Sequence, residues 1–316
     1  MSWLLLMDCY DLADFPLELY QTGNGERCLQ NYRSWQHDLK KGRKRNRLFK
    51  LQICGNGTVG KTTILNRLKT SAFIEEDSTD GVQITFIDEA RKWIEDYDPI
   101  RLMIWDFGGQ EVYHQTHRLF LRDRSIFFLV FDEKTIKERH QKDPKLHSLD
   151  RNRELSYWIS DIYRAGPKAQ VILVQNKMDI PQTQEIYVDE LLPKNIDQGR
   201  PVRISAKTGR HFEDLLMEMH RAVSELPSYK MEIPLSWWKV RETLLKKKVE
   251  KQHSKQQISL AVFKRLCQFC EVSPQSITAL LTYLDGLGII LWDKELFPDT
   301  IILDQQWALN AVYTVL

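Results

Sequence analysis

Cysteine is scarce, with five in 316 residues. That is too few for a disulfide framework, and a reduced intracellular compartment is the expectation. Long hydrophobic runs are also missing. The longest, Ser125-Ile126-Phe127-Phe128-Leu129-Val130-Phe131, falls far short of the roughly 20 apolar residues that cross a bilayer. The amino-terminal Leu4-Leu5-Leu6 has no basic flank and no small-residue cleavage site, which argues against a secretory signal. Nor is there an excess of charge of one sign. Lys and Arg total 45 against 43 Asp and Glu, a net of +2, so the chain as a whole makes no case for nucleic acid or an anionic membrane. What is present suffices for a packed protein: 42% hydrophobic and 28% charged residues exclude general disorder. The length fits about two domains. Composition therefore points to a soluble, cytoplasmic, two-domain chain.

Along the chain, Leu5-x-Met7-x-x-Tyr10-x-Leu12-x-x-Phe15-Pro16-x-Glu18-Leu19 fits one leucine-rich repeat, with Tyr10 where Asn normally sits. An irregular leader with scattered apolar residues explains the same pattern. Residues 1–25 are assigned to this repeat remnant and 26–47 to a helical linker ending in Lys40-Lys41-Gly42-Arg43-Lys44-Arg45-Asn46-Arg47. Such a run reads first as a solvated linker and second as a contact for phosphate groups or a membrane surface. From Leu48 to Leu226 short apolar runs alternate with amphipathic stretches. Strands are expected at 48–54, 82–87, 101–106, 125–131, 170–175 and 201–204, with helices at 61–70, 149–165, 184–193 and 209–225. This alternation predicts an α/β domain with a mainly parallel six-stranded sheet covered on both faces. Val171-Ile172-Leu173-Val174 is apolar throughout, as a strand buried on both faces should be. Pro227 and Pro234 bracket a short connection. Beyond it, residues 234–316 read as helices at 235–251, 258–270 and 274–287, strands at 288–292 and 299–303, and a last helix from Asp304. Three helices and a hairpin suggest a mostly helical, winged-helix-like module.

Two motif sets carry chemistry. Gly55-Asn56-Gly57-Thr58-Val59-Gly60-Lys61-Thr62 matches G-x-x-x-x-G-K-[ST], leaves an apolar strand and enters a helix. Its backbone amides, with those of Thr63 and the helix N-terminus, suit phosphate oxygens. Lys61 is expected at the β- and γ-phosphates and the Thr62 hydroxyl on Mg²⁺. The second set is Asn176-Lys177-Met178-Asp179 and Ser205-Ala206-Lys207, at the ends of successive strands, where α/β ligand sites lie. The Asp179 carboxylate suits guanine N1–H and the 2-amino group. Adenine would leave it unpaired, and such a site rejects the wrong analogue by about 10⁴-fold. Asn176 is expected to brace neighbouring loops, the Lys177 stem to cover one face of the base, and the Ala206 amide to meet O6.

Between these sets, Asp106-Phe107-Gly108-Gly109-Gln110 follows the apolar strand Leu102–Trp105, and Thr79 precedes the second strand in Ser78-Thr79-Asp80-Gly81. Asp106 and Thr79 are the expected further Mg²⁺ ligands, the Gly109 amide the γ-phosphate sensor, and Gln110 the residue that orients the attacking water.

Together these motifs resemble a Ras-like P-loop GTPase. The wording around them is similar to the Roc domain of Roco proteins: Ser78-Thr79-Asp80-Gly81-Val82, Trp105-Asp106-Phe107-Gly108-Gly109-Gln110-Glu111, and Tyr113-His114-x-Thr116-His117-x-x-Phe120-Leu121. The stretch after Pro234 resembles the start of a COR domain, with Trp237-x-x-Val240-Arg241, Leu284-x-x-Leu287-Gly288 and Ile302-Leu303-Asp304-x-x-Trp307. The resemblance implies a Mg²⁺-dependent GTP-to-GDP switch of slow intrinsic turnover, with catalytic Gln110 and Lys61, protein partners, and a homodimer in a longer parent protein. The charge balance gives no nucleic-acid partner, and the chain carries no kinase signature, since no H-R-D loop accompanies Asp106-Phe107-Gly108. The alternative is a scaffold that binds guanine nucleotide without turnover. No arginine is assigned as a finger; Arg118, Arg122 and Arg124 lie near the second switch.

Three other constellations are set aside. Cys267-Gln268-Phe269-Cys270 lacks a second pair and reads as a buried helix face. His114 and His117 have no carboxylate partner for a metal, and Lys246-Lys247-Lys248 runs into the polar stretch 251–257, as a solvated helix end does.

Overall fold

The computed structural model describes residues 16, 19, 25–74, 82–88, 99–108, 125–138, 153–165, 169–188, 200–249, 256–305 and 307–308. The leucine-rich-repeat reading, both switch segments and the histidine pair fall outside these, apart from Pro16, Leu19, Gly25 and Asp106–Gly108. The chain divides into two compact units. One is Leu48–Leu226, and the other joins Met1–Arg47 to Pro227–Leu316.

In the second of these units, α1 (Gly25–Leu39) begins with Glu26 in its first turn, a charge that complements the helix dipole. A turn at Lys40–Lys41 leads into β1 (Arg43–Arg45). The nucleotide-type unit follows with β2 (Leu48–Cys54), α2 (Lys61–Thr70), β3 (Val82–Ile87), β4 (Arg101–Phe107), β5 (Ile126–Phe131), α3 (Glu133–Glu138), α4 (Leu155–Ala165), β6 (Gln170–Gln175), β7 (Val202–Arg203) and α5 (Phe212–Glu225). The chain then returns to the other unit with β8 (Glu232–Pro234), α6 (Leu235–Val249), β9 (Gln257–Ser259), α7 (Leu260–Phe269), α8 (Ile277–Gly286) and β10 (Thr300–Ile302).

The sheet of the nucleotide-type unit runs β3-β4-β2-β5-β6-β7. Only the β3–β4 pair is antiparallel; β2–β4, β2–β5, β5–β6 and β6–β7 are parallel. Every residue of β2, β4 and β5 is buried, and β5 accordingly is apolar throughout. On one face, Phe127, Leu129 and Phe131 with Cys54 and Leu173 meet Leu155, Trp158, Ile159 and Ile162 of α4. Burying each such side chain contributes roughly 1.5–3 kcal/mol. α2 contacts β4, and α5 contacts β5 and β6, with Leu215, Met219, Ala222 and Val223 of α5 buried at helical spacing. From β2 the chain moves to one side through β3 and β4 and to the other through β5, β6 and β7. The carboxyl end of β2 is therefore the crevice where a ligand fits.

Two expectations for this unit change. Residues 184–188 are not helical, and 189–193 lie outside the described residues. Gln175 Nε2 donates to Gln184 O at 2.7 Å, Ile186 N donates to Gln175 Oε1 at 3.0 Å, and Gln184 N donates to Glu133 Oε2 at 2.9 Å. Side-chain partners of this kind take the backbone groups a helix would need. The helix expected at 149–165 begins at Leu155 among the described residues.

The helix expected ahead of the basic run is present and buries one face, and the basic run, read first as a solvated linker, is exposed over Arg43–Arg45 but structured. Trp35 is 1% exposed. The buried Asp38 accepts from Trp237 Nε1 at 2.9 Å and from the Ser273 hydroxyl. β1 pairs antiparallel with β8, and the basic run is engaged by its own unit. Arg43 bonds Glu232 at 3.0 Å, Lys41 donates to Ser273 Oγ at 2.8 Å, Lys44 lies over Trp238, and Arg45 and Arg47 lie over Tyr229. Arg241, 1% exposed, donates to Asn46 Oδ1 at 3.0 Å. β9 and β10 pair antiparallel, and Leu291 bridges Ile302, so the expected strand at 288–292 is reduced to one bridge. Cys267 and Cys270 are both buried, with burial pushing the Cys267 thiol up to about 12. Among the described residues no cluster of His, Cys, Asp and Glu suits a metal ion, and no helix is long and apolar enough to cross a membrane.

Candidate nucleotide site

Gly55 follows β2 with φ +136, a region side chains rarely adopt, and a Cβ there would stand 2.1 Å from Val130 O. The backbone of β5 thus demands glycine at the start of the phosphate loop. Gly57 is open, and Thr58 is exposed with φ 61. Val59 is buried, and Gly60 is the left-handed N-cap of α2, with Ile64 N donating to Gly60 O at 3.0 Å. Thr63 lies half-buried in the first turn of α2.

Lys61 is 6% exposed and its Nζ donates to Gly55 O at 3.0 Å and Asn56 O at 2.7 Å, folding the side chain back across the loop. Burial lowers its pKa from the ordinary lysine value, with Asp106 acting in the opposite direction. An anion here would favour the charged form. Thr62 Oγ1 donates to Asp106 Oδ2 at 2.8 Å, and Asp106 is fully buried. A hydroxyl and a carboxylate brought together are hard oxygen donors of the kind Mg²⁺ takes, so these residues fit the ion.

The base-side motifs meet the phosphate loop through Asn176. Its Nδ2 donates to Val59 O at 2.9 Å, and its Oδ1 accepts from Ala206 N at 2.9 Å. The Ala206 N–H expected at guanine O6 is thus turned toward Asn176. Ser205 Oγ donates to Asp179 Oδ1 at 2.6 Å and accepts from Thr208 N at 3.0 Å. Lys177 has φ 66, and its Nζ stands 2.6 Å from Asp132 Oδ2. Lys207 offers its carbonyl to Arg67 Nη2 at 2.8 Å. Thr79, Gly109 and Gln110 lie outside the described residues.

Two residues of this network, Asp132 and Arg67, escaped the motif reading, as did the side-chain role of Asn56. Asp132 follows β5, pairs with Lys177 and accepts from Thr135 N at 2.8 Å as the N-cap of α3. The run Asp132-x-x-Thr135 after an apolar strand carries that capping signal. Asn56, a variable position of the loop motif, accepts from Arg153 N at 2.9 Å and Trp158 Nε1 at 3.2 Å and donates to Arg153 O at 2.9 Å. Arg67 reaches the loop after β7. Neither of the last two has a local signature.

Sheet order and phosphate loop define the class: a Ras-like P-loop domain followed by a mostly helical module. The family model for "Ras of Complex, Roc, domain of DAPkinase" matches residues 50–179, and that for "C-terminal of Roc, COR-A domain" matches residues 234–316. The chain is 28% identical over 80% of its length to a probable serine/threonine-protein kinase, roco5, of Dictyostelium discoideum, covering 9% of that protein. It is 27% identical over 84% of its length to a Roc-COR-CHAT protease of Runella zeae, covering 29% of it. It also matches a putative ras-related protein, Rab-5B, of Dictyostelium discoideum, at 29% identity over 56% of this chain and 76% of that one. A solved structure of Methanosarcina barkeri Roco2 RocCORdC bound to GDP superposes with a TM-score of 0.63 at 25% identity, covering 86% of this chain and 77% of that one. The chain belongs to the Roco family, and its Roc part is a GTP-binding, GTPase-type domain. It spans less than a third of the first two curated relatives.

Proposed function

We propose that the chain binds GTP, hydrolyses it to GDP and phosphate in a Mg²⁺-dependent reaction, and acts as a nucleotide-dependent switch in cytoplasmic signalling. The observation that supports this most is the Asn176 carboxamide, which joins Val59 of the phosphate loop to Ala206 of the base loop. Phosphate and guanine recognition then belong to one hydrogen-bonded framework. Lys61 and the loop amides hold the β- and γ-phosphates, Asp179 reads N1–H and the 2-amino group, and Ala206 offers its amide to O6, in exchange with or shared with Asn176. Thr62 and Asp106, with Thr79, hold Mg²⁺, which supplies charge neutralisation at the phosphates when bound. Gln110 orients the water for in-line attack while Lys61 and the amides take up the developing charge. With no arginine assigned as a finger, turnover is slow, and a protein partner or second copy of the chain completes the site.

Single-turnover hydrolysis by the native chain and Gln110→Leu tests this reading. Phosphate release by the native chain, falling at least about tenfold in the variant, is the expected result. If both bind GTP and neither releases phosphate, the chain is a nucleotide-binding scaffold instead.

A further inference from the structure

Arg67 lies on α2, beyond the phosphate-binding turn, with its guanidinium directed at the loop that follows β7. Nε donates to Ala206 O at 2.7 Å and Nη2 to Lys207 O at 2.8 Å, while Nη1 reaches Ser71 O at 3.4 Å. A planar fork fixes the angle between its donors as it holds two successive carbonyls, an orientation that a freely rotating ammonium does not impose. The loop is shaped around this group. Gly209 has φ +84, and a Cβ there would stand 2.7 Å from Arg67 Nη1. The Phe212 ring lies beside the guanidinium, 5.8 Å from Cζ to centroid.

The other half of the loop is held separately. Ser205 Oγ bonds Asp179 and Thr208 N, and Gly209 N donates to Ser205 O at 2.8 Å. The peptide N–H of Ala206 lies between the two anchors and donates to Asn176 Oδ1 at 2.9 Å, a bond that O6 would share or take over. Asp179 owes its position to Ser205, whereas the peptide plane following the Ala206 N–H owes its position to Arg67. We propose that Arg67 is a positioning residue for guanine recognition, one that aims the Ala206 amide at O6 by holding the carbonyls of Ala206 and Lys207. This rests on the guanine-nucleotide reading of the site. It predicts that two parts of base selectivity separate: O6 recognition depends on Arg67, and recognition of the 2-amino group does not.

Competition binding to the full chain reads both parts at once. GDP is compared with 6-thio-GDP, whose sulfur accepts hydrogen bonds weakly in place of O6, with IDP, which lacks the 2-amino group, and with ADP. Arg67→Ala is expected to lower the preference for GDP over 6-thio-GDP by up to about tenfold, the value of one hydrogen bond. The preference for GDP over IDP should stay within about twofold of native, as for an independent contact. Arg67→Lys, which keeps a charge and donors but lacks the fixed fork, should fall between, and it gives the same readout should Arg67→Ala not fold. An equal weakening toward GDP, 6-thio-GDP and IDP, or no change, would make Arg67 a packing residue and overturn the proposal. A native chain that does not prefer GDP to ADP would instead overturn the guanine reading beneath it.

Discussion

Asn56 sits at a loop position where phosphate binding needs only a backbone amide, yet its carboxamide makes three bonds to the start of α4. Both its donor and its acceptor are used, so no other residue of that size replaces it. Asn56→Ala is expected to lower unfolding free energy by about 2–3 kcal/mol, because the hydrogen bonds are lost and buried groups lose this partner. Urea denaturation measures it, and Asn56→Asp, which accepts but cannot donate to Arg153 O, should be intermediate. Asp179 makes a different prediction, one of specificity. Asp179→Asn keeps an acceptor for N1–H but places an amide donor opposite position 2, so the chain should come to prefer xanthosine triphosphate, whose C2 carbonyl accepts there, over GTP. Unchanged GTP affinity in a titration would remove Asp179 from base recognition. The two substitutions divide the site into a part that stabilises the loop and a part that selects the ligand.

At the scale of elements, local hydrogen bonding overrides helical periodicity where a buried side chain claims the backbone. Residues 184–188 carry an apolar pattern, but Gln175 at the end of β6 bonds the backbone of both Gln184 and Ile186. α5 carries a different constraint. His220 is 5% exposed, and burial lowers its pKa below the ordinary imidazole value of 6.5. In the folded chain it stays neutral where the unfolded chain already takes a proton. The unfolded state then binds more protons, so stability is full above 6.5 and falls as the pH drops through and below it. Thermal unfolding of His220→Gln across this range is expected to show a shallower loss on acidification than native. Equal slopes would mean that His220 does not contribute to acid sensitivity.

For the molecule as a whole, the division into two cores matters more than chain order. The segment 25–47 precedes the nucleotide-type unit in sequence but shares a core with residues after 227. Trp35, Asp38 and Asn46 join Trp237, Ser273 and Arg241 there. A ligand bound only by one unit stabilises that unit by mass action, about 2.7 kcal/mol at a hundred times Kd. Calorimetry is therefore expected to show two transitions, of which GDP raises one. A single transition that moves as a whole would mean that the two cores unfold together.

Much of this was legible in the residues themselves. The phosphate loop, the six strands and the two base-side motifs are each short, contiguous runs whose chemistry depends on neighbours in sequence, and all six strands fall within a residue of their expected ends. The reading failed where the deciding partner is remote. Asn56 finds Arg153 across 97 positions, Arg67 finds Ala206 across 139, and Trp237 finds Asp38 across 199. No period or motif encodes such pairs. The basic run 40–47 could not be told from a solvated linker, because its partners, Glu232, Tyr229 and Trp238, come from the far side of an entire domain. By itself the sequence determined the nucleotide class and the order of the elements, since backbone geometry and apolar periodicity are local properties. Only the tertiary structure decided which core the segment 25–47 completes and which side chains hold the loops in place. Those outcomes depend on burial and hydrogen-bond satisfaction between residues that meet only after folding.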